Sequence, residues 1–115
     1  MPYLQQGDIV FAYFPFEEDK TILKKRPCLV LALDNTKSRF LAAKITTTKL
    51  NRSWAVHLNA GNTDLASGNL QMESWINLNR REWIPISDYI FTIGTINHEI
   101  LSVIINKITS SNTFT

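Results

Sequence analysis

Two short stretches of the sequence carry side chains suited to binding a phosphate. In the first, KKRPCLVLALD (residues 24–34), Arg26 directly precedes Pro27. Proline pushes the preceding residue toward an extended conformation and is tolerated as the first residue of a strand. We therefore predict that Arg26 lies at a junction between a loop and a strand, where its guanidinium can bind a phosphate through two parallel hydrogen bonds.

The second stretch is KITTTK, residues 44–49, in which three threonines lie between two lysines. Strand alternation would send Thr46 and Thr48 to one face and Thr47 to the other. The hydroxyl groups are hydrogen-bond donors for a phosphate. Three lysines within the two stretches are expected to bind flanking phosphates, a contribution that weakens with salt; they are Lys24, Lys25 and Lys49.

The charge of the chain is unevenly distributed. Residues 20–52 hold nine lysines and arginines and one aspartate, a net charge of +8, so the remainder carries −6 within a total of +2. Such a basic segment predicts an anionic partner, most often a nucleic acid, although scattered lysines on a solvated face would give the same count. An exposed aromatic ring would stack on a base, and the sequence leaves open which of Trp54, Trp75 and Trp83 is exposed.

Other catalytic arrangements find less support. Cys28 lies in an apolar run, which is more typical of a buried small side chain than of a nucleophile. His57 is more typical of a solvent-facing strand residue than of a proton shuttle. We find no metal-ligand spacing, phosphate-binding glycine loop or serine nucleophile motif, and we expect no metal and no cofactor. Glu17, Glu18 and Asp19 lie between predicted strands, either as a solvated loop or as acid–base groups.

The elements that must position these residues are mostly strands. Strand composition or alternation is found in residues 8–16, 27–34, 40–48, 53–59, 70–78 and 89–94. GNTDLASGN, residues 61–69, is typical of turns. One segment, 96–108, has a helical period, with Asn97 as N-cap and an apolar stripe: Ile96, Ile100, Leu101, Ile104, Ile105 and Ile108. We predict a small, mostly-β barrel or curled sheet with a C-terminal helix.

The length of 115 residues suits a single domain, 1–115, with a core from about 7 to 108 and a tail over 110–115. Every apolar run stops well short of the ~20 residues of a membrane span. The N-terminus lacks the features of a signal peptide, and one cysteine permits no intrachain disulfide. These features predict a cytoplasmic protein that is not bound to a membrane.

The order of GDIVFAYFPF, KKRPCLVLALDN and AAKITTTK resembles the MazF/PemK family of toxins, also called Kid-like or CcdB-like. The later stretch MESWINLNRREWIPISDYIFTIGTINHEI is also similar, so the resemblance runs from about residue 7 to 108. It implies an SH3-like (CcdB/PemK-like) barrel of five to seven strands with a C-terminal helix, working as a homodimer. Enzymatic members are metal-independent ribonucleases that cut single-stranded RNA at short sequences. A cognate antitoxin holds them inactive by filling the RNA groove with its disordered tail.

The resemblance also implies roles for individual residues. Arg26 and Thr46 correspond to the catalytic pair. The expected substrate-binding residues are Lys24, Lys25, Thr47, Thr48 and Lys49. The family draws its acid–base groups from the loop before Arg-Pro, where this chain has EEDKTILKK in place of a glycine-rich loop, so the candidates are Glu17, Glu18 and Asp19. Two alternatives stay open: a non-catalytic barrel that binds nucleic acid, such as operator DNA together with the antitoxin, and a module that docks a partner peptide.

Overall fold

The fold is one antiparallel sheet of seven strands followed by a helix, seen in a computed structural model that describes residues 4–59, 64–68 and 70–110. In chain order the elements are β1 (Asp8–Pro15), β2 (Leu23–Asp34), β3 (Arg39–Thr46), β4 (Ala55–Leu58), β5 (Leu65–Gly68), β6 (Ser74–Pro85), a 3₁₀ turn (Ile86–Asp88), β7 (Tyr89–Ile96) and α1 (His98–Ser110). The strand order across the sheet is β4-β6-β3-β2-β1-β7-β5. The predicted mostly-β architecture with a C-terminal helix is confirmed.

The central strands are buried on both faces of the sheet. One face forms a cluster with the helix, in which Ile9 and Leu29 meet Ile104. The other face forms a second cluster around Phe14 and Phe40. Because side chains alternate along a strand, each central strand contributes to both clusters, which explains the continuous apolar run that begins at Cys28.

Helix α1 begins as the sequence predicts. The Asn97 side-chain oxygen accepts a hydrogen bond of 2.9 Å from the backbone N–H of Ile100, which confirms Asn97 as the N-cap. Ile104 is fully buried, and Leu101 and Ile108 pack against the same cluster. None of the helices in the described part of the chain is long and apolar enough to cross a membrane.

The Gly-Asp pair at the start of β1 ties the first strand to the last. Gly7 has φ +96°, a conformation that favours glycine, and its N–H donates to the Val30 carbonyl at 2.8 Å. The buried Asp8 carboxylate accepts hydrogen bonds from the Gln5 N–H at 3.0 Å and the Thr95 hydroxyl at 2.8 Å. The pair therefore has a structural role.

The turn predicted for residues 61–69 is wrong in part, because this stretch contains β5, which pairs with β7. Gly68 has φ +84°, and a Cβ added to it would lie 2.3 Å from the Ile93 carbonyl oxygen. The two backbones can approach so closely only because Gly68 faces Gly94. Residues 60–63 and 69 of this stretch, and 111–115 of the predicted tail, lie outside the described residues.

Strand β2 starts earlier than predicted, at Leu23, so Arg26 lies within a strand and Pro27 is not its first residue. The proline is tolerated because pairing with β3 starts only at Cys28, opposite Lys44. At Pro27 the strand is therefore paired with β1 alone, and the missing N–H interrupts no ladder on the β3 side.

Two other strands have different bounds from those expected. Strand β3 ends at Thr46, so the alternation predicted for Thr47 and Thr48 does not apply. Strand β6 runs on to Pro85, well beyond the predicted end at residue 78. This extension brings the segment NRREW, residues 79–83, into the sheet.

Candidate active site

A polar pocket of about 130 Å³ lies beside the connection between β1 and β2, next to the part of β2 that pairs with β1 but not with β3. Its charged lining residues are Glu17, Glu18, Arg26, Lys44 and Arg80. Pro15 and Phe16 complete it. Three cations and two carboxylates thus share a small volume. An excess of positive charge in a small pocket favours binding of an anion, and close charges of this kind shift the pKa of ionisable side chains.

Arg26 reaches this pocket from the centre of the sheet. It pairs with Ala12 on β1, and by alternation it shares a face with the buried Cys28. Its guanidinium carbon lies 5.9 Å from the centre of the Phe16 ring, within the range of a cation–π contact. Arg26 is half-buried, and its guanidinium lies at the edge of the second core cluster.

Arg80 holds the pocket together. This buried residue donates from Nη2 to the Pro15 carbonyl at 2.6 Å, and its Nη1 contacts the Glu82 carboxylate. The guanidinium also lies 5.1 Å from the centre of the Phe14 ring. Lys20 forms a 3.1 Å salt bridge with Glu82. Arg80 and Glu82 together therefore hold the β1–β2 connection where it begins, at Pro15, and again at Lys20 within it.

Arg80 faces the pocket because of an irregularity in the β3–β6 ladder. Ala43 pairs with Arg81, whereas the next residue, Lys44, pairs with Asn77. Strand β6 thus advances four residues while β3 advances one, and the faces of β6 exchange across this bulge. The exchange brings Arg80 to the face of the second core cluster, beside Lys44.

The β1–β2 connection separates the three candidate carboxylates. Glu17 and Glu18 line the pocket. The Asp19 carboxylate instead accepts hydrogen bonds from the N–H and the hydroxyl of Thr21, at 3.0 and 2.6 Å, and these bonds lower its pKa. Asp19 therefore stabilises the turn and does not line the pocket.

Lys44 shares the pocket with two other cations, Arg26 and Arg80. Partial burial lowers the pKa of Lys44, and the charges of Arg26 and Arg80 lower it further. Glu17 and Glu18 act in the opposite direction. The net direction is downward, so Lys44 gives up its proton more readily than an ordinary lysine.

Thr46 lies two residues beyond Lys44 on the same face of β3, outside the lining of the pocket. It is half-buried, and its hydroxyl accepts a hydrogen bond of 3.1 Å from the Thr48 N–H. Arg26 and Thr46 are thus on one face of neighbouring strands, with Lys44 between them along β3.

A stacked pair of rings extends this face beyond Thr46. Trp75 pairs with Thr46 on one side and with His57 on the other. The Trp75 and His57 rings are stacked, with centroids 5.0 Å apart and planes 26° apart. His57 Nε2 also contacts the Glu73 carboxylate. Pocket, threonine and stacked rings form one continuous strip, which we call the polar strip.

The other two tryptophans lie elsewhere. Trp54 is half-buried. Trp83 is exposed, and the Arg39 guanidinium carbon lies 4.3 Å from the centre of its ring. Trp83 alternates with Glu82, so it points to the opposite face from the polar strip.

The lysines predicted to bind phosphates do not all lie on the same face of the sheet. Lys24 shares the Arg26 face by alternation, whereas Lys25 lies on the opposite face. Lys25 Nζ sits 5.2 Å from the centre of the Phe11 ring and 5.4 Å from that of Phe91. The remaining predicted residues are exposed beyond the end of β3: Thr47, Thr48 and Lys49.

Neither a thiol nucleophile nor a metal centre emerges from the described residues. Cys28 is buried, and burial raises the pKa of its thiol to about 12, so a thiolate is not populated near neutral pH. Across 4–59, 64–68 and 70–110, no three His, Cys, Asp or Glu side chains lie close enough to share a metal ion.

Sequence reasoning missed Lys44 and Arg80 as site residues. Lys44 alternates with the apolar Ala42 and Phe40, a pattern that predicts an inward-facing lysine. Arg80 carries a similar signal, because it alternates with the buried Leu78 and Ile84, but which face of the sheet it meets depends on the bulge.

The sequence matches the family model of the PemK-like, MazF-like toxin of type II toxin–antitoxin systems over residues 5–111. No curated protein matches it.

Solved structures share the fold at low sequence identity. An endoribonuclease from Mycobacterial species, in complex with its cognate antitoxin, superimposes with a TM-score of 0.71 at 13% identity, covering 98% of each chain. A second endoribonuclease from Mycobacterial species gives 0.69 at 14% identity, covering 96% of this chain and 91% of the other. The Mycobacterium tuberculosis toxin MazF-mt6 gives 0.60 at 19% identity, covering 90% and 98%.

Proposed function

Because the chain belongs to the family of PemK-like, MazF-like toxins of type II toxin–antitoxin systems, we propose that it is an endoribonuclease that cuts single-stranded RNA. The reaction is attack of a ribose 2′-hydroxyl on the adjacent phosphorus, with no step assigned to a metal ion. The observation that carries the proposal is the pocket in which Arg26 lies with two carboxylates. Two of the similar folds belong to proteins described as endoribonucleases.

Arg26 stabilises the charge that develops on the non-bridging phosphate oxygens during attack. A guanidinium keeps its proton and offers several donors in one plane, so it suits a charge that grows in the transition state. Its mount is rigid, because the backbone lies within β2 and is fixed on one side by pairing with β1. Thr46 positions the same phosphate through its hydroxyl.

Glu17 and Glu18 are the candidates for accepting the proton of the 2′-hydroxyl. Both line the pocket with Arg26, so either carboxylate can approach a 2′-hydroxyl whose phosphate is bound there. Asp19 also belongs to the connection that supplies them, and its hydrogen bonds to Thr21 give it a role in shaping that connection.

The RNA follows the polar strip. Lys24 shares the Arg26 face, and Thr47, Thr48 and Lys49 extend it past the end of β3, so they contact flanking phosphates and sugars. Lys25 lies on the opposite face of β2, so it binds a phosphate only where the RNA bends around the end of that strand. Trp75, stacked with His57, offers a base-stacking surface beside Thr46.

The partners follow from the same proposal. A cognate antitoxin covers the polar strip and thereby inhibits cleavage, as one similar fold was determined in complex with its cognate antitoxin. The toxin acts as a cytoplasmic homodimer, and with its antitoxin it binds operator DNA. Sedimentation that finds only monomer at micromolar concentration would exclude the dimer.

The test is RNA cleavage in EDTA by the wild-type chain, by Arg26→Ala and by Arg52→Ala as a matched control. Arg52 is an exposed arginine outside the pocket. We expect Arg26→Ala to reduce the rate ~10²–10³-fold, and Arg52→Ala to change it only through salt-dependent binding.

Equal cleavage by the wild-type and Arg26→Ala chains would remove Arg26 from the mechanism. If neither chain cuts RNA but both bind nucleic acid in a salt-dependent way, the protein is a non-catalytic binding module. Peptide binding that ignores RNA competitors would favour a peptide-docking module.

A further inference from the structure

Lys44 is a charged side chain in the pocket to which the proposed function assigns no role. It alternates with Ala42 and Phe40, which belong to the second core cluster, and it pairs with the buried Cys28. It lines the pocket together with Arg26. Within residues 4–59, 64–68 and 70–110, its ammonium group forms no hydrogen bond or salt bridge. A half-buried ammonium with no such bond is available to a ligand.

The neighbours of Lys44 are two guanidinium groups and two carboxylates. Arg26 comes from β2 and Arg80 from β6, while Glu17 and Glu18 come from the β1–β2 connection. Arg80 is already bonded to Glu82 and to a backbone carbonyl.

We propose that Lys44 is the general acid of the cleavage reaction, donating a proton to the 5′-oxygen that leaves phosphorus. This inference rests on the proposed ribonuclease function. The bond between the 2′-oxygen and phosphorus forms as the bond between phosphorus and the 5′-oxygen breaks. The 2′-hydroxyl proton passes to Glu17 or Glu18, and the Lys44 proton passes to the 5′-oxygen. The products are a 2′,3′-cyclic phosphate and a 5′-hydroxyl, and both side chains then exchange protons with water.

The order of the strands suits a reaction in which the general acid and the general base are different residues. In the sheet, β2 lies between β1 and β3, so Lys44 on β3 and the connection that follows β1 reach the Arg26 pocket from opposite neighbours of β2. An attacking and a leaving oxygen lie on opposite sides of phosphorus, and the acid and the base must do the same. Arg26, in the middle, faces the non-bridging oxygens.

No other described cation of the pocket suits proton transfer. Guanidinium groups stay protonated in proteins, which excludes Arg26 and Arg80 as acids at neutral pH. A lysine can serve once its proton affinity falls toward the working pH. Burial and the two guanidinium charges lower the pKa of Lys44.

The experiment compares two RNA substrates after primer extension has mapped a cleavage site. One is an ordinary oligonucleotide spanning that site. The other carries a 5′-bridging sulfur at the scissile phosphate, and this thiolate leaving group departs without protonation. We test the wild-type chain, Lys44→Met and Lys44→Arg, with urea unfolding to show that each variant is folded.

We expect Lys44→Met to slow cleavage of the ordinary RNA ~10²–10⁴-fold, the usual contribution of a general acid. The sulfur substrate should be slowed only a few-fold. Lys44→Arg should fail to restore the ordinary reaction, although it keeps the charge. The wild-type rate should fall at high pH as Lys44 loses its proton, and Lys44→Met should lack this decline.

Equal slowing of both substrates by Lys44→Met would overturn the inference, because Lys44 would then act through charge or binding alone. Restoration by Lys44→Arg would overturn it in the same way. Cleavage by Lys44→Met at the wild-type rate would overturn it while leaving the ribonuclease proposal intact. Failure of the wild-type chain to cut any RNA would remove the ribonuclease proposal itself, and the inference with it.

Discussion

Replacing Arg80 by methionine should destabilise the fold strongly for a single substitution. Methionine keeps the unbranched stem against Phe14 but removes the bonds to Glu82 and to the Pro15 carbonyl. The Arg80 and Glu82 side chains are only 10% and 14% exposed, so water compensates little. Glu82 would keep one partner, Lys20, whose side chain is 66% exposed.

The expected loss can be bounded from these contacts. Breaking a buried ion pair by removing one partner costs about 3–5 kcal/mol, and a hydrogen bond to a charged group contributes about 1.5–3 kcal/mol. Because Lys20 still pairs with Glu82, we place the loss in unfolding free energy at the lower end, about 3 kcal/mol. This corresponds to about 10–15 °C in Tm for a chain of this size.

Urea unfolding measures this loss directly, as a fall in the midpoint at unchanged slope. The exposed Arg52 provides the matched control, since Arg52→Met should stay within about 0.5 kcal/mol of wild type. The double variant Arg80→Met/Glu82→Gln should recover part of the loss, because it removes the carboxylate left without Arg80. A loss below about 1 kcal/mol for Arg80→Met, or losses that simply add in the double variant, would refute this reasoning.

Two further predictions concern the polar strip and the core. Trp75→Ala should weaken binding of an RNA analogue with a 2′-deoxy cleavage site by about 1–3 kcal/mol, measured by fluorescence anisotropy, while Trp83→Ala on the opposite face should change binding little. An equal effect of both substitutions would argue against a stacking site at Trp75. Ile104→Ala should lower the unfolding free energy by about 2–5 kcal/mol, because it leaves a cavity between α1 and the sheet, and a loss under 1 kcal/mol in urea would contradict the packing described for the helix.

The sequence predicted those parts of the fold that depend on local patterns. The strands with β-branched and aromatic residues, the helix and its Asn97 cap could all be read from composition and period. The family relationship also followed from the order of short motifs and is confirmed by the match over residues 5–111. Strand β5 was missed because Gly68 reads as a turn residue, whereas its role is to let one backbone approach another at Gly94.

The pocket was only partly predictable, because its lining depends on how β6 pairs with β3. Arg26, Glu17 and Glu18 were identified from sequence, and all three line it. Arg80 was not, because alternation along β6 predicts only that it points inward, and the β3–β6 bulge decides which face of the sheet it meets. A pocket assembled from four strands and a connection depends on pairings between distant residues, which no short window of sequence contains.

The contribution of β6 to the pocket has a consequence during protein synthesis. The connection that carries Glu17 and Glu18 is made early, but it is anchored by Arg80, which is added more than sixty residues later. A nascent chain emerging from the ribosome therefore lacks the pocket until β6 has been translated and has paired with β3. Long-range strand pairing of this kind is also slow compared with local folding. An interval thus separates translation of Arg26 from assembly of the site around it, and truncated products that end before β6 cannot form that site.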